Sequence, residues 1–474
     1  MKFANSNDGA KPLAATAPRA LVVGGGLAGM AAAVALESVG VAVTLCEARR
    51  SLGGRAGSFE EPQSGEELDN CQHVLLGCCT NLIDFYQRLG VSHLIRWERT
   101  VHFVDGQGRR HDLYGSTHLP APLHLSASMA RFGVLSWGER LALARAMIEM
   151  MHLGRDGREH LADVWFGDWL DRHHQPPSLV RKLYDPILVS ALNEESRLAS
   201  AAYAIQVFQE AMLGNAGGYL IGLPNCPLSQ LYARLPINDV RLGARVARLA
   251  CRGNSVTGVD LTSGESLEAD AVILAMNYHA ARRWIPDELA ARDVRFAHLE
   301  EMEDVPILGA HLWFDRPILT DSHAALIDGS LQWLFRKDRE GKAVHGVISA
   351  ARDWAGKPKD VALGAFEEQI RRTFPAARDA RLERGVIVVE KRATFSPAPG
   401  IDRKRPQQAP PAGGIGNLYL AGDYTRTGWP ATMEGAVRSG YLAAGAVASH
   451  LLEGRHRFVV KDLPTQWPAR LLGL

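Results

Sequence analysis

Cysteine is scarce, six residues in 474, and no two of them form a C-x-x-C pair. That leaves neither zinc-ligand spacing nor a disulfide framework, so no metal site is expected, and a reducing, cytoplasmic setting is. A surplus of either charge is also missing: 53 Lys and Arg face 52 Asp and Glu, for a formal +1. Such a balance argues against a nucleic-acid binder, which needs a basic face. No run of about 20 strongly apolar residues occurs. The two uncharged stretches, residues 20–36 and 211–233, are broken by glycines, and the second also by Pro224 and Pro227. Residues 1–18 lack the apolar segment of a secretory signal and read as a flexible tail. Internal repeats and low-complexity blocks are absent. What remains is a 22% charged, 46% hydrophobic chain with length for about three domains.

Glycine is plentiful, at 46 residues, and its placement is informative. Ala20-Leu-Val-Val23 is an apolar run that ends in Gly24-Gly25-Gly26; residues 27–38 read as an Ala-rich helix, and 41–46 as a second apolar run closed by Glu47. Strand, turn, helix and strand within 30 residues open a parallel α/β sheet. Residues 118–154, 164–171 and 178–210 are helical in spacing. A strand-rich stretch follows at 239–249, 255–261, 271–275, 307–314, 332–335 and 344–350, with a helix over 361–374. A Pro/Gly-rich loop at 396–416 leads to a strand at 417–422 and a long helix at 433–452.

Gly24-x-Gly26-x-x-Gly29 fits G-x-G-x-x-G. The glycines allow a tight turn, backbone approach to a pyrophosphate and close helix–strand packing. Leu27, Ala28 and Gly29 open the helix whose free N–H groups and dipole favour phosphate. Glu47, 18 residues past Gly29, is placed to accept from ribose hydroxyls, which suits an unphosphorylated ribose. Ala48 and Arg49 follow, and Gly53-Gly54-Arg55 comes just after. An arginine there can pair with phosphate or an anionic flavin; the plainer reading is a surface turn with a solvated Arg. Near the C-terminus, Gly422-Asp423 ends an apolar strand, and Ala431-Thr432-Met433-Glu434-Gly435-Ala436 opens the last helix. Asp423 can hydrogen-bond a ribityl chain or act as a turn aspartate. The N–H groups of Thr432 and Met433 can face a flavin.

The E-x-x-x-x-x-G-G-R extension from Glu47 to Arg55 resembles the signature of the flavin-containing amine oxidase and phytoene desaturase superfamily. Leu-Ala-Gly-Asp-Tyr-Thr, ending at Thr425, with the Ala-Thr-Met-Glu-Gly-Ala run, resembles plant-type phytoene and carotene desaturases. The resemblance implies FAD as cofactor and Val246 as an adenine contact. It implies an α/β fold: a discontinuous Rossmann-type FAD-binding domain with an inserted α+β substrate domain. The expected division is 19–115, 225–285 and 396–474 for the FAD domain, 116–224 for a helical substrate part and 286–395 for a substrate sheet.

Asp69-Asn-Cys-Gln-His73, Tyr184-Asp185-Pro186 and Tyr424-Thr-Arg-Thr-Gly-Trp-Pro430 are similar, more narrowly, to the squalene-associated FAD-dependent desaturases, understood as hydroxysqualene dehydroxylases. One departure is Cys71, where the family carries Gly. By this resemblance Asp69, His73 and Asp185 are the catalytic candidates. Each has a plainer reading, as a cap, a satisfied core histidine and a helix terminator. The implied substrate is a C30 isoprenoid and the electron donor is unknown. Residues 126–155 carry Arg131, Arg140, Arg145 and Arg155 beside an apolar stripe, consistent with docking at the cytoplasmic membrane face. The rivals are an oxidative desaturase of phytoene or another polyene, an amine oxidase, and a non-enzymatic prenyl-binding chaperone. No motif for covalent flavin attachment lies near Asp423.

Overall fold

The computed structural model describes residues 17–474, so all but the last two residues of the expected tail lie outside the described residues. A five-stranded parallel sheet is gathered from across the chain in the order Asp239–Leu242, Ala42–Glu47, Arg19–Val23, Ala271–Leu274, Leu418–Leu420. Arg19–Val23, Ala271–Leu274 and Leu418–Leu420 are short, almost wholly buried apolar runs, as parallel strands are, whereas the edge strand Asp239–Leu242 is polar and partly exposed. The helices Leu27–Glu37 and Met433–Leu451 pack against each other beside it. Their approach is close enough that a Cβ at Gly440 would sit 2.2 Å from the Ala28 carbonyl oxygen.

The single strand expected over 239–249 is two strands in two sheets. Gly243, at φ +72°, turns the chain out of the parallel sheet into an antiparallel meander of Val246–Arg252, Ser255–Leu261 and Ser266–Glu268.

A seven-stranded sheet forms the second layer, in the order Leu382–Phe395, Asp304–Phe314, Ala343–Ile348, Trp333–Arg336, His323–Leu326, Thr100–Val104, Arg110–Tyr114. The expected segment 19–115 is thereby divided. Thr100–Val104 pairs in parallel with His323–Leu326 and carries the hairpin into the second sheet. The longest strand, Leu382–Phe395, is missing from the sequence reading, because Val386-Ile387-Val388-Val389 is apolar on both faces and then turns charged. One face of this sheet is covered by the helix Lys359–Thr373 and forms its own core. Alternation along the strands sends His311, Phe335, His345 and Val347 to the other face, and cross-strand pairing aligns them.

The helical part, including Trp137–Gly157, Asp185–Leu192 and Ala201–Phe208, shares one hydrophobic cluster with residues of both sheets. Arg155, expected on the outer face, turns inward instead. It donates to Glu210 at 2.6 Å and shares that buried carboxylate with Arg158. Among the described residues, no helix is long and apolar enough to cross a membrane.

Candidate active site

The glycine loop divides its labour. A Cβ at Gly24 would fall 2.3 Å from the Ala275 carbonyl oxygen, and one at Gly29 only 1.9 Å from that of Gly24, so packing demands both glycines. Gly26 is different: a Cβ there meets nothing within 4 Å. It leaves an open cradle in front of the helix Leu27–Glu37, whose N-terminus has neither a side-chain cap nor an acid in its first turn. Unclaimed N–H groups and the helix dipole make that cradle a site for a pyrophosphate.

Gly53 and Gly54 fold over this loop. Gly53 N donates to Gly25 O at 2.8 Å, and a Cβ at Gly54 would stand 3.2 Å from Gly26 Cα. Glu47 ends its strand with each carboxylate oxygen held by one backbone N–H, from Gly25 and from Arg49, both at 2.7 Å. Each oxygen keeps a lone pair for a ribose hydroxyl. Ala48 and Arg49 follow at this edge. The Arg49 carbonyl accepts from Gly243 N at 2.9 Å, which brings in the strand that begins at Val246.

The C-terminal residues meet this cradle through one ion pair. Arg55 donates to Asp423 Oδ1 and to the Ala393 carbonyl, both at 2.6 Å, leaving Asp423 Oδ2 to accept from a ribityl hydroxyl. Gly422 N is held by Ser439 Oγ. Thr432 caps the last helix, its Oγ1 accepting from Gly435 N at 3.0 Å, so the N–H groups of Thr432 and Met433 stay available. The predicted cofactor residues thus converge from three stretches of chain. Two residues outside that expectation hold the assembly. Arg405, fully buried, donates to the backbone carbonyls of Asp423 and Thr425. Glu434, also fully buried, accepts from Asn81 N and Leu82 N, capping the helix Thr80–Arg88 from another element. Glu434 is visible in the C-terminal motif; Arg405 sits in a Pro/Gly loop that offers no periodic signal.

The three catalytic candidates are not brought together. Asp69 accepts from Ser58 Oγ, Leu228 N and Lys337 Nζ at 2.9, 2.9 and 3.2 Å, a carboxylate that joins three elements. Asp185 hydrogen-bonds Ser196 Oγ, with burial raising its pKa. It lines a 540 Å3 cleft with Arg181, Asp328 and Asp353 that none of the predicted cofactor residues reaches. The turn beside Arg55, which Asn70 holds by donating to the Arg55 carbonyl at 3.2 Å, carries Asp69 and also His73. The His73 Nδ1–H donates to Cys71 O at 2.9 Å, leaving Nε2 as the free nitrogen, and burial lowers its pKa.

The turn also touches the inner face of the second sheet. His311 Nε2–H donates to the Asp69 carbonyl at 3.0 Å. A carbonyl only accepts, so neutral His311 must accept at Nδ1 from His345 Nδ1–H, 3.1 Å away. His345 Nε2 is then a lone pair directed at the Cys71 thiol, 4.0 Å off. Burial holds both rings neutral, His311 at about 4 and His345 well below the usual value, and pushes the Cys71 thiol up to about 12. Lys337, which also donates to Gln72 Oε1 at 3.2 Å, is hidden in the sequence by the charged run Arg336-Lys-Asp-Arg-Glu340, which reads as a solvated turn.

Comparison with known proteins gives this cradle its occupant. Residues 27–448 match the family model of flavin-containing amine oxidoreductases. The chain is 25% identical to the 15-cis-phytoene desaturase of Synechococcus elongatus, over 93% of this chain and 98% of that protein. It is 27% identical to the hydroxysqualene dehydroxylase of Zymomonas mobilis, over 90% and 99%. Among solved structures, cyclohexylamine oxidase from Brevibacterium oxydans superposes with a TM-score of 0.65 at 20% identity over 92% of this chain and 99% of that one. An oxidoreductase from Methanosarcina mazei gives 0.68 at 15% over 91% and 100%. These last two likenesses speak for the fold. With the open Gly26 cradle, the ribose acid and the Arg55–Asp423 pair all in place, the chain belongs to the flavin-containing amine oxidoreductase family and is an FAD-dependent oxidoreductase.

Proposed function

We propose that the protein is a hydroxysqualene dehydroxylase, converting hydroxysqualene, reduced FAD and a proton to squalene, water and oxidised FAD in squalene and hopanoid synthesis. The observation that carries this reading is His73: of the two candidates on the turn joining the FAD cradle to the apolar inner face, it keeps a free ring nitrogen, whereas the Asp69 carboxylate is tied to Ser58, Leu228 and Lys337. When bound and reduced, the cofactor supplies hydride. The protein's own task is to protonate the allylic hydroxyl, to hold the C30 chain and to keep water from the cation. His73, protonated at Nε2 and oriented through Nδ1 by the Cys71 carbonyl, gives that proton to the leaving oxygen. Cys71, Ile221, Leu223, Phe335 and Val347 form a separate apolar cluster beside it and exclude water. Gly24, Gly26, Leu27, Ala28, Gly29, Glu47, Ala48, Arg49, Gly54, Arg55, Val246, Gly422, Asp423, Thr432 and Met433 are the residues proposed to hold FAD.

The test is anaerobic. The reduced holoenzyme is mixed with hydroxysqualene in detergent, and flavin absorbance and product mass are followed; stoichiometric reoxidation with squalene is the expected result. A second reading, a phytoene desaturase, draws on the Synechococcus relative and on the His73 Nε2 lone pair, which suits a base. Reduction of the oxidised enzyme by phytoene, without reoxidation by hydroxysqualene, would favour it.

The proposal extends to a membrane surface, since a C30 hydrocarbon must come from a bilayer. Trp137 (76% exposed) and Leu141 stand on one helix, Trp467 (59%) and Leu471 (78%) on the C-terminal one, and Leu123 is exposed in the turn Leu123–Leu125. The turn and the C-terminal helix are tied by Ala121 N donating to Gln466 Oε1 at 2.6 Å. Arg131 and Arg145 stay exposed at this face, as interfacial helices require. Co-sedimentation with anionic vesicles, expected for the protein and lost in a Trp137→Ser/Trp467→Ser variant, tests it.

A further inference from the structure

Trp333 stands where the helical wall meets the second sheet. Its indole Nε1 donates to Ser190 Oγ at 2.6 Å, from the helix Asp185–Leu192. Period-two alternation puts Trp333 and Phe335 on the inner face together. Their rings stack, with centroids 5.6 Å and planes 9° apart. Across the next strand they face Val347 and His345, and the same apolar cluster reaches Cys71, two residues from His73. Trp333 is only half-buried, although its one polar atom is satisfied.

The rings nearest Trp333 are aromatic, while the charges of Asp69 and Lys337 at the neighbouring turn are paired with each other. His323 lies 5.8 Å from the Trp333 ring and is held neutral by burial, at about 3. Neither Trp333–Arg336 nor Ala343–Ile348 contributes a carboxylate to this face. A positive carbon formed against these two strands meets ring faces first. That arrangement suits a carbocation, because a π face attracts positive charge without the lone pair with which a carboxylate would capture it.

We propose that the stacked Trp333–Phe335 pair is the cation platform of the site, with Trp333 the ring that meets the substrate. This rests on the dehydroxylase reading. The C–O bond breaks with both electrons going to oxygen, which leaves as water carrying the added proton. The allylic carbon keeps the positive charge against the Trp333 face. The C–H bond then forms with the hydride and electron pair that the reduced cofactor supplies. Ser190 fixes the indole in plane, and Phe335 backs it.

The test is a binding measurement on the oxidised holoenzyme. Two squalene analogues are titrated calorimetrically: one with an ammonium nitrogen in place of the hydroxyl-bearing carbon, the other its uncharged isostere. In Trp333→Leu the ammonium analogue is expected to lose about 10-fold in affinity, while the uncharged one stays within about 2-fold. Trp333→Phe, which keeps a ring, should retain most of the preference and also serves if the Leu variant does not fold. Equal losses for both analogues, or no loss for either, would overturn the platform. Flavin reoxidation by hydroxysqualene reports separately on the reading beneath it. Reoxidation with an unselective Trp333→Leu removes the platform alone; selective ammonium binding without reoxidation removes the dehydroxylase and leaves a cation site.

Discussion

The Arg55 guanidinium donates to Asp423 Oδ1 at 2.6 Å across 368 positions of sequence, so one ion pair closes the cofactor site from both ends of the chain. Asp423→Ala leaves Arg55 with the Ala393 carbonyl. Because the Arg55 side chain is about a third exposed, water makes up part of the loss, and the expected cost to the FAD-free protein is about 1 kcal/mol. Asp423→Asn should recover most of it. FAD affinity in the Ala variant should fall about 10-fold or more, read by flavin fluorescence titration alongside urea unfolding.

Gly26 and Gly29 should fail differently when substituted. Gly26→Ala puts a methyl into the open cradle, where it meets nothing within 4 Å, so the protein should fold with an unchanged circular dichroism spectrum and bind flavin weakly or purify colourless. Gly29→Ala drives a methyl into the Gly24 carbonyl and should destabilise the fold itself by about 3 kcal/mol or more. If both variants lost flavin and kept full stability, the packing argument would be wrong.

Stability should fall in mild acid. Burial holds His124 at about 4, His311 at about 4 and His323 at about 3, all below the unfolded value of about 6.5. The unfolded chain therefore binds more protons. Stability is full above about pH 6.5 and is lost as pH falls towards the folded values, at up to about 1.4 kcal/mol per pH unit for each histidine. Denaturant midpoints measured from pH 7.5 to 4.5 check this, and His124→Asn should flatten the curve.

Under the dehydroxylase reading His73 must be protonated to act, and burial places its pKa below the usual 6.5. Single-turnover reoxidation should rise as pH is lowered, by about 10-fold per unit above that pKa. His73→Asn should abolish the slope, whereas Asp185→Asn should leave rate and slope unchanged. A rate independent of pH between 6 and 8 would remove His73 as the proton donor.

Glu434 is a carboxylate with no exposed side-chain area, paired with Arg438 Nε at 2.7 Å. Glu434→Ala leaves the buried Arg438 guanidinium with Asp462 as its remaining ion-pair partner and uncaps two amides, with an expected loss of about 2–3 kcal/mol. Glu434→Gln should lose less, since it keeps the acceptor.

The parallel sheet and its glycine loop were legible because backbone approach leaves few residue choices: Gly24, Gly29 and Glu47 are written by sterics and by one hydrogen-bonding requirement. The final helix was legible for the same reason, through Gly440 and its neighbours. The strand Leu382–Phe395 was not, since apolar residues on both faces erase the period of two. The hairpin Thr100–Val104/Arg110–Tyr114 was missed as part of the second sheet because nothing local says which sheet a strand will join. Asp69 illustrates the limit at the site: its motif marks the position, but only the three donors around it reveal a tie between elements.

The edge strand Leu418–Leu420 bears on how the protein is made. It completes a sheet whose first strand, Arg19–Val23, leaves the ribosome some 400 residues earlier. Until then Arg55 has no Asp423, and the nascent sheet presents Ala271–Leu274 as an open apolar edge, a template for aggregation. The nucleotide pocket therefore cannot mature progressively during translation. It closes in one late step, when Leu418–Leu420 seals the exposed edge and brings Asp423 to Arg55, so the newly made chain needs a chaperone until its last strand has been added.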